Sequence, residues 1–91
     1  MRVVLDGGAF ESAAQLHETL ARELRFPDWY GGNLDALFDC LTDLREDTVI
    51  CLKNPDGLEK CLGAFGGRVL RVLRQAAEEN PHLHLTMEKE T

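Results

Sequence analysis

Apolar residues recur along this chain with two different periods. Leu16, Leu20 and Leu24 repeat every fourth residue, and so predict a helix over 13–25, opened by Ser12 and stopped by Pro27. Val69, Leu70, Val72, Leu73 and Ala76 predict a second helix over 68–79, ended by Pro81. Leu34, Leu37, Leu41 and Leu44 step by three and four, which predicts a helix over 34–43 with one buried stripe. A shorter helix fits Leu58 to Leu62. The β-branched run at 2–5, the continuous apolar run at 48–52 and the alternation at 83–87 predict strands. The run at 48–52 suggests a strand buried on both faces. Gly63 to Gly67 reads as a flexible join, and Glu88 to Thr91 as a solvated tail.

The resulting order is β-α-α-β-α-α-β. Strands separated by helices imply an α/β fold, with a small parallel sheet and right-handed crossovers. Ninety-one residues with 44% hydrophobic content suffice for one core, so residues 1–91 are read as a single domain.

The polar pattern is most informative between 26 and 44. An aromatic loop, Phe26 to Gly32, runs into a helix that Asn33 can cap. Asp35, Asp39 and Asp43 recur at four-residue steps on one face of it. Asp35 lies in the first turn, where the helix dipole favours a negative charge. Asp39 and Asp43 lack that help and repel their neighbours by a few tenths of a kcal/mol each. A ridge of stacked acids on so short a helix implies a cation from outside.

Charge follows the same map. Residues 26–47 carry six acids and one base, net −5, out of −6 for the whole chain. Such a surface repels nucleic acid and attracts a basic protein. No apolar run approaches a membrane span, and nothing after Arg2 resembles a signal peptide, so a cytoplasmic address is expected. Cys40, Cys51 and Cys61 have neither redox nor zinc spacing, and each sits in an apolar pattern that predicts a buried free thiol.

Candidate chemistry narrows further. Asp35 and Asp39 could form a hydrolytic carboxylate pair, but a solvated helix face does not raise a pKa as an acid–base residue needs. His82 and His84 supply two possible metal ligands without a third, and a solvent-facing pair is favoured. His17 is expected to be a core or half-buried histidine. Gly7-Gly8 and Gly66-Gly67 lack the pattern of a phosphate loop. No catalytic residue, metal or cofactor is assigned. Trp29 and Tyr30 sit in a loop beside the acids, so one is expected to be exposed for binding and the other packed beneath. Phe38, next to the ridge, is expected to be partly exposed.

Two segments carry a resemblance. Leu16-His17-(x)2-Leu20 is followed by Pro27-(x)2-Tyr30-Gly31-(x)-Asn33-Leu34-Asp35-Ala36-Leu37-(x)-Asp39-Cys40-Leu41-Thr42. This pattern resembles the barstar family, intracellular inhibitors of secreted ribonucleases. The resemblance implies a three-stranded parallel sheet with four helices. It also implies a basic, barnase-like ribonuclease as partner in a 1:1 complex, with no nucleic acid or membrane bound. The loop and acidic helix would plug the enzyme's active site, with Asp39 in the place of a substrate phosphate. The implied binding residues are Trp29, Tyr30, Gly31, Asn33, Asp35, Phe38, Asp39, Asp43, Gln75 and Glu79. The family's best-known member has Tyr at position 29, Trp at 38, Gly at 43 and Trp at 44, and the family's interface Glu aligns with Gln75, so the partner's identity is left open. A binding module for another basic protein is the alternative, and a small hydrolase using Asp35 and Asp39 is a third.

Overall fold

The computed structural model describes residues 1–89. In chain order its elements are β1 (Arg2–Asp6), α1 (Ala13–Leu24), α2 (Leu34–Thr42), β2 (Thr48–Lys53), α3 (Asp56–Leu62), α4 (Ala64–Glu79) and β3 (Leu83–Glu88). The strands form one sheet in the order β1-β2-β3, parallel throughout. This is the architecture that the alternation of strands and helices implied.

Register sorts the side chains. Val3, Ile50 and Leu85 lie abreast, and Leu5, Leu52 and Met87 lie one step further on. This face of the sheet joins Leu16 and Leu20 of α1, Leu37 and Leu41 of α2, Leu58 of α3, and Val69 and Leu73 of α4 in one core. Burying a leucine side chain is worth about 1.5–3 kcal/mol. The opposite row is Val4, Cys51 and Thr86. Here Val4 is 53% exposed, while Cys51 is only 2% exposed. Burial of β2 on both faces therefore holds at Cys51 but not across the sheet. The small central side chain is sheltered between its two neighbours, and the outer face is otherwise largely open.

Local signals set the helix ends. Ser12 Oγ accepts from the Gln15 amide at 3.1 Å and starts α1. Arg25 ends it in the left-handed region at φ 55, so the helix stops one residue short of the expected end.

The largest departure lies between α3 and α4. The segment 63–67 is not a flexible join: α4 begins at Ala64 and includes both Gly66 and Gly67. Gly66 is buried because the α3 backbone crosses it. A Cβ there would lie 2.1 Å from the Leu58 carbonyl oxygen. The glycine pair marks a tight helix crossing, which sequence punctuation alone reads as a break. Three smaller corrections follow. Cys61 is exposed rather than buried, its Sγ 3.5 Å from the Gly8 carbonyl. Asp56, not Leu58, begins α3. Glu88 belongs to β3 rather than to a tail, and residues 90–91 lie outside the described residues.

The crossing makes a paired prediction. Gly66→Ala drives a methyl into backbone and should cost about 1–3 kcal/mol or more. Gly67→Ala meets only the flexible end of Glu59, at 3.0 Å. It should be neutral or stabilising by up to about 1 kcal/mol, because Ala is the better helix residue. Urea denaturation of both variants checks this, and equal effects would contradict the crossing.

Candidate partner-binding site

The loop before α2 is built by local hydrogen bonds. The Tyr30 amide donates to the Pro27 carbonyl at 3.0 Å, closing a turn over Asp28 and Trp29. Trp29 rides on the outside of that turn and is 74% exposed. Tyr30 points the other way. Its ring packs on Phe26 at a centroid distance of 4.9 Å, and its hydroxyl bonds His17 Nδ1 at 2.5 Å. His17 itself is buried, with Phe65 against its other side. The division of labour expected of the two aromatics is present: Trp29 outward, Tyr30 beneath.

Burial shifts both partners toward neutrality. It pushes His17 down from its ordinary value. It pushes the Tyr30 phenol up to about 12, with a further contribution from Cys40. Both groups are neutral, and the hydrogen bond between the phenol and His17 Nδ1 fixes the loop to α1 without any net charge.

Gly31 and Gly32 then carry the chain to α2. Gly32 has φ +66, a conformation that a side chain would strain. Asn33 accepts from the Ala36 amide at 2.8 Å, so the cap expected from sequence is formed. From there α2 lays Leu37 and Leu41 into the core, both 0% exposed. Leu34 and Leu44, expected in the same buried stripe, are only half-buried. Each lines a groove at the helix surface instead.

Asp35, Asp39 and Asp43 all face solvent. Among the described residues neither Asp35 nor Asp39 forms an ion pair with the chain's own cations. Asp43 does have one: Arg45 lies 3.8 Å away, with side chains 88% and 78% exposed. Such an exposed pair is loose and worth little. The cation expected only from outside is thus partly supplied at Asp43, though not along the rest of the ridge. Behind the ridge, burial first and then the carboxylates of Asp39 and Asp43 push the Cys40 thiol up, which keeps it unreactive.

Grooves flank the ridge. Between α2 and α4, a groove is lined by Leu34, Asp35, Phe38, Asp39, Val72 and Gln75. It brings Gln75 beside Asp35 and Asp39 and leaves Phe38 half-buried at the edge. Glu79 is exposed one turn further along α4. On the other side, a cleft of about 590 Å³ runs under Trp29 to Asp39, Asp43 and Glu46. The sequence reading missed Leu24, Phe26 and Leu44 as the apolar wall of this cleft. The one available signal was Leu44, which lies beyond the last turn of α2 and so off the core-facing stripe.

The remaining acid of the cluster, Asp47, turns away to His82. Its Oδ1 lies 3.0 Å from His82 Nδ1, and that hydrogen bond holds the carboxyl below the usual carboxylate range. His82 is therefore engaged with Asp47, and His84 is exposed on the open face of the sheet. Among the described residues no helix is long and apolar enough to cross a membrane.

The family described as "Barstar (barnase inhibitor)" matches residues 1–88. A protein of Bacillus subtilis (strain 168), named "Putative ribonuclease inhibitor YrdF", is 42% identical over 79 residues, covering 86% of this chain and 87% of the relative. The chain belongs to the barstar family.

The half-buried Tyr30 phenol generates a pH prediction. Its folded pKa lies above the unfolded value of about 10. The associated stability is therefore complete below pH ~10 and is lost as pH rises through about 12. Tyr30 is the single tyrosine, so phenolate absorbance reports it alone. Alkaline titration of the folded protein should place the midpoint near 12. A midpoint near 10 with the fold intact would show that the ring is not packed as described.

Proposed function

We propose that this chain is a non-enzymatic protein inhibitor of a basic ribonuclease. One observation carries the reading. Asp35 and Asp39 stand exposed on α2 without an ion-pairing cation among the described residues, beside an indole that is 74% exposed. Membership of the barstar family, and the name given to the Bacillus subtilis relative, support a ribonuclease-inhibitor kind of role.

The mechanism follows from charge and shape. A ribonuclease gathers cationic side chains around the scissile phosphate. Asp39, at the crest of the ridge, takes the position of that phosphate and pairs with those cations. Asp35 and the backbone of Gly31 flank it. Asn33 holds the helix end that presents Asp35. Trp29 and Phe38 give the apolar contact around the acids, where aromatic anchors contribute most, and Tyr30 supports the loop from beneath. Asp43, Gln75 and Glu79 extend the surface along α2 and across to α4. Gln75 contributes hydrogen bonds but no charge, so this side of the surface is less acidic than a Glu there would make it. The complex is 1:1, because one active site accepts one ridge. The net −5 of residues 26–47 draws a basic enzyme in before contact. The same charge excludes RNA from this surface.

Inhibition of RNA hydrolysis by a purified basic, barnase-like ribonuclease tests this. Wild type should inhibit at equimolar concentration. The Asp35→Ala/Asp39→Ala pair should weaken inhibition at least 30-fold, since loss of a charged hot spot costs about 2 kcal/mol or more. That scale derives in part from the barstar–barnase pair itself rather than from this chain. A folded double variant that inhibits as well as wild type would contradict the reading. Specific capture of a basic protein with no nuclease activity would point instead to a binding module for another partner.

A further inference from the structure

β3 is an edge strand, and its pairing with β2 shows which backbone groups are left over. The Thr48 amide donates to the His82 carbonyl and the Asn54 amide to the Glu88 carbonyl, each at 2.8 Å. Backbone groups alternate in direction along a strand, so the even-numbered residues of β3 bond β2 and the odd-numbered ones face outward. Leu83 uses its amide on the Asn80 carbonyl at 3.0 Å. Leu85 and Met87 remain, and among the described residues nothing bonds their backbone from the outer side.

The side chains tell the same story. Leu85 and Met87 point to the core face yet are only half-buried, while Ile50 and Leu52 beside them in β2 are at most 1% exposed. The helix layer stops short of this edge. The other edge differs: the core-facing Val3 and Leu5 of β1 are both 3% exposed, and the Asp6 carbonyl already accepts from the Ala9 amide at 3.1 Å. No proline and no bulge interrupts β3, and these are common guards of a free edge.

We propose that β3 joins two copies of this chain, edge to edge and antiparallel, across a two-fold axis at Thr86. That register sets Leu85 against Met87 of the second copy, on both sides of the axis. Both residues have free backbone groups, so each such pair exchanges two hydrogen bonds. Their side chains meet over the unfinished edge of the core. On the outer face, His84 meets Glu88 of the second copy and Thr86 meets its own equivalent. Among the described residues neither His84 nor Glu88 forms an ion pair. Imidazole against carboxylate and threonine against threonine are favourable cross-strand pairs.

Neighbouring registers fit worse. A slip of one residue sets core-facing side chains against outward ones. An axis at Leu85 needs the occupied Leu83 amide, and it offers Glu88 a His82 already bonded to Asp47. An axis at Met87 sets Leu85 against Lys89. The acidic ridge stays clear in the dimer. Val72 and Gln75 face α2 across their shared groove, whereas Arg74 reaches toward β3, its Nη2 3.7 Å from Met87 Sδ. Ridge and edge thus lie on opposite flanks of α4, and the dimer stands independently of the inhibitor reading.

Sedimentation equilibrium of the purified chain, from about 10 µM to about 1 mM, tests this. The contact is well below the ~1,200 Å² of a stable complex, so Kd should be on the order of 0.1–1 mM. Thr86→Lys, at an exposed position, sets like charges together at the axis and should leave a folded monomer by circular dichroism. His84→Glu should weaken pairing several-fold, and adding Glu88→Lys should restore it. In a Cys61→Ser background, oxidised glutathione should crosslink Thr86→Cys, because opposed Cα atoms at such a position lie ~4.5 Å apart. It should not crosslink Glu88→Cys, which faces His84 instead. A chain that is monomeric throughout the range would overturn the proposal. So would a dimer indifferent to Thr86→Lys, or crosslinking that is equal at positions 86 and 88. None of these failures would touch the inhibitor reading, which rests on α2.

Discussion

The buried amide of Asn80 holds together the elements on which the rest of this structure depends. Its Nδ2 donates to the carbonyls of Leu41 and Leu44, at 2.9 and 3.0 Å. Its Oδ1 accepts from the His82 amide at 2.9 Å. One side chain, 4% exposed, thus closes the C-terminus of α2, the end of α4 and the entry to β3. A helix end leaves several carbonyls without partners, and a buried one costs about 1–3 kcal/mol. Many helices meet this need with Lys or Arg in the last turn. Here α2 has no base in its last turn, and a neutral amide from another element serves instead. The carbonyls are satisfied and the acidic ridge is not neutralised.

That arrangement separates two jobs within nine residues. The inward face of α2 carries stability through Leu37 and Leu41, neither of which touches solvent. The outward face carries charge that contributes nothing evident to packing. The flanking loop repeats the division. Tyr30, His17 and Phe26 lock it to α1 as an uncharged cluster, and Trp29 is left outside. Rigid support beneath and unsatisfied groups above suit a surface that meets its partner without rearranging, because little freedom remains to be lost on binding.

Much of this was legible in sequence because it is local. The leucine stripe of α1, Asn33 before α2 and the alternation in β3 each act within a few residues and formed as read, whereas the stripe of α2 holds at Leu37 and Leu41 but not at Leu34 and Leu44. The acids were legible because four-residue spacing on a helix admits only one face. What failed depended on distance or on close approach. Asn80 reaches carbonyls 36 and 39 residues away, and no pattern in the chain announces that pairing. Gly66 and Gly67 look like a hinge unless the backbone of α3 is known to cross there. Cys61 sits in an apolar pattern yet faces out, because short α3 buries little beyond Gly57 and Leu58. The cleft under Trp29 draws on α1, the loop and the segment after α2, so no single stretch could reveal it. The resemblance to the barstar family supplied the whole topology at once, which local signals give only in pieces.

The central claim is that the ridge is carried by the fold and not required by it. The most direct measurement is the urea stability of Asp39→Asn against wild type, at low salt and near 1 M salt. The substitution keeps size and removes charge. The account predicts equal or slightly greater stability at low salt, by a few tenths of a kcal/mol from relieved repulsion. The difference should vanish at high salt, where the screening length falls to about 3 Å. A loss of more than about 1 kcal/mol in either condition, beyond what a surface substitution ordinarily costs, would show that Asp39 holds the fold together.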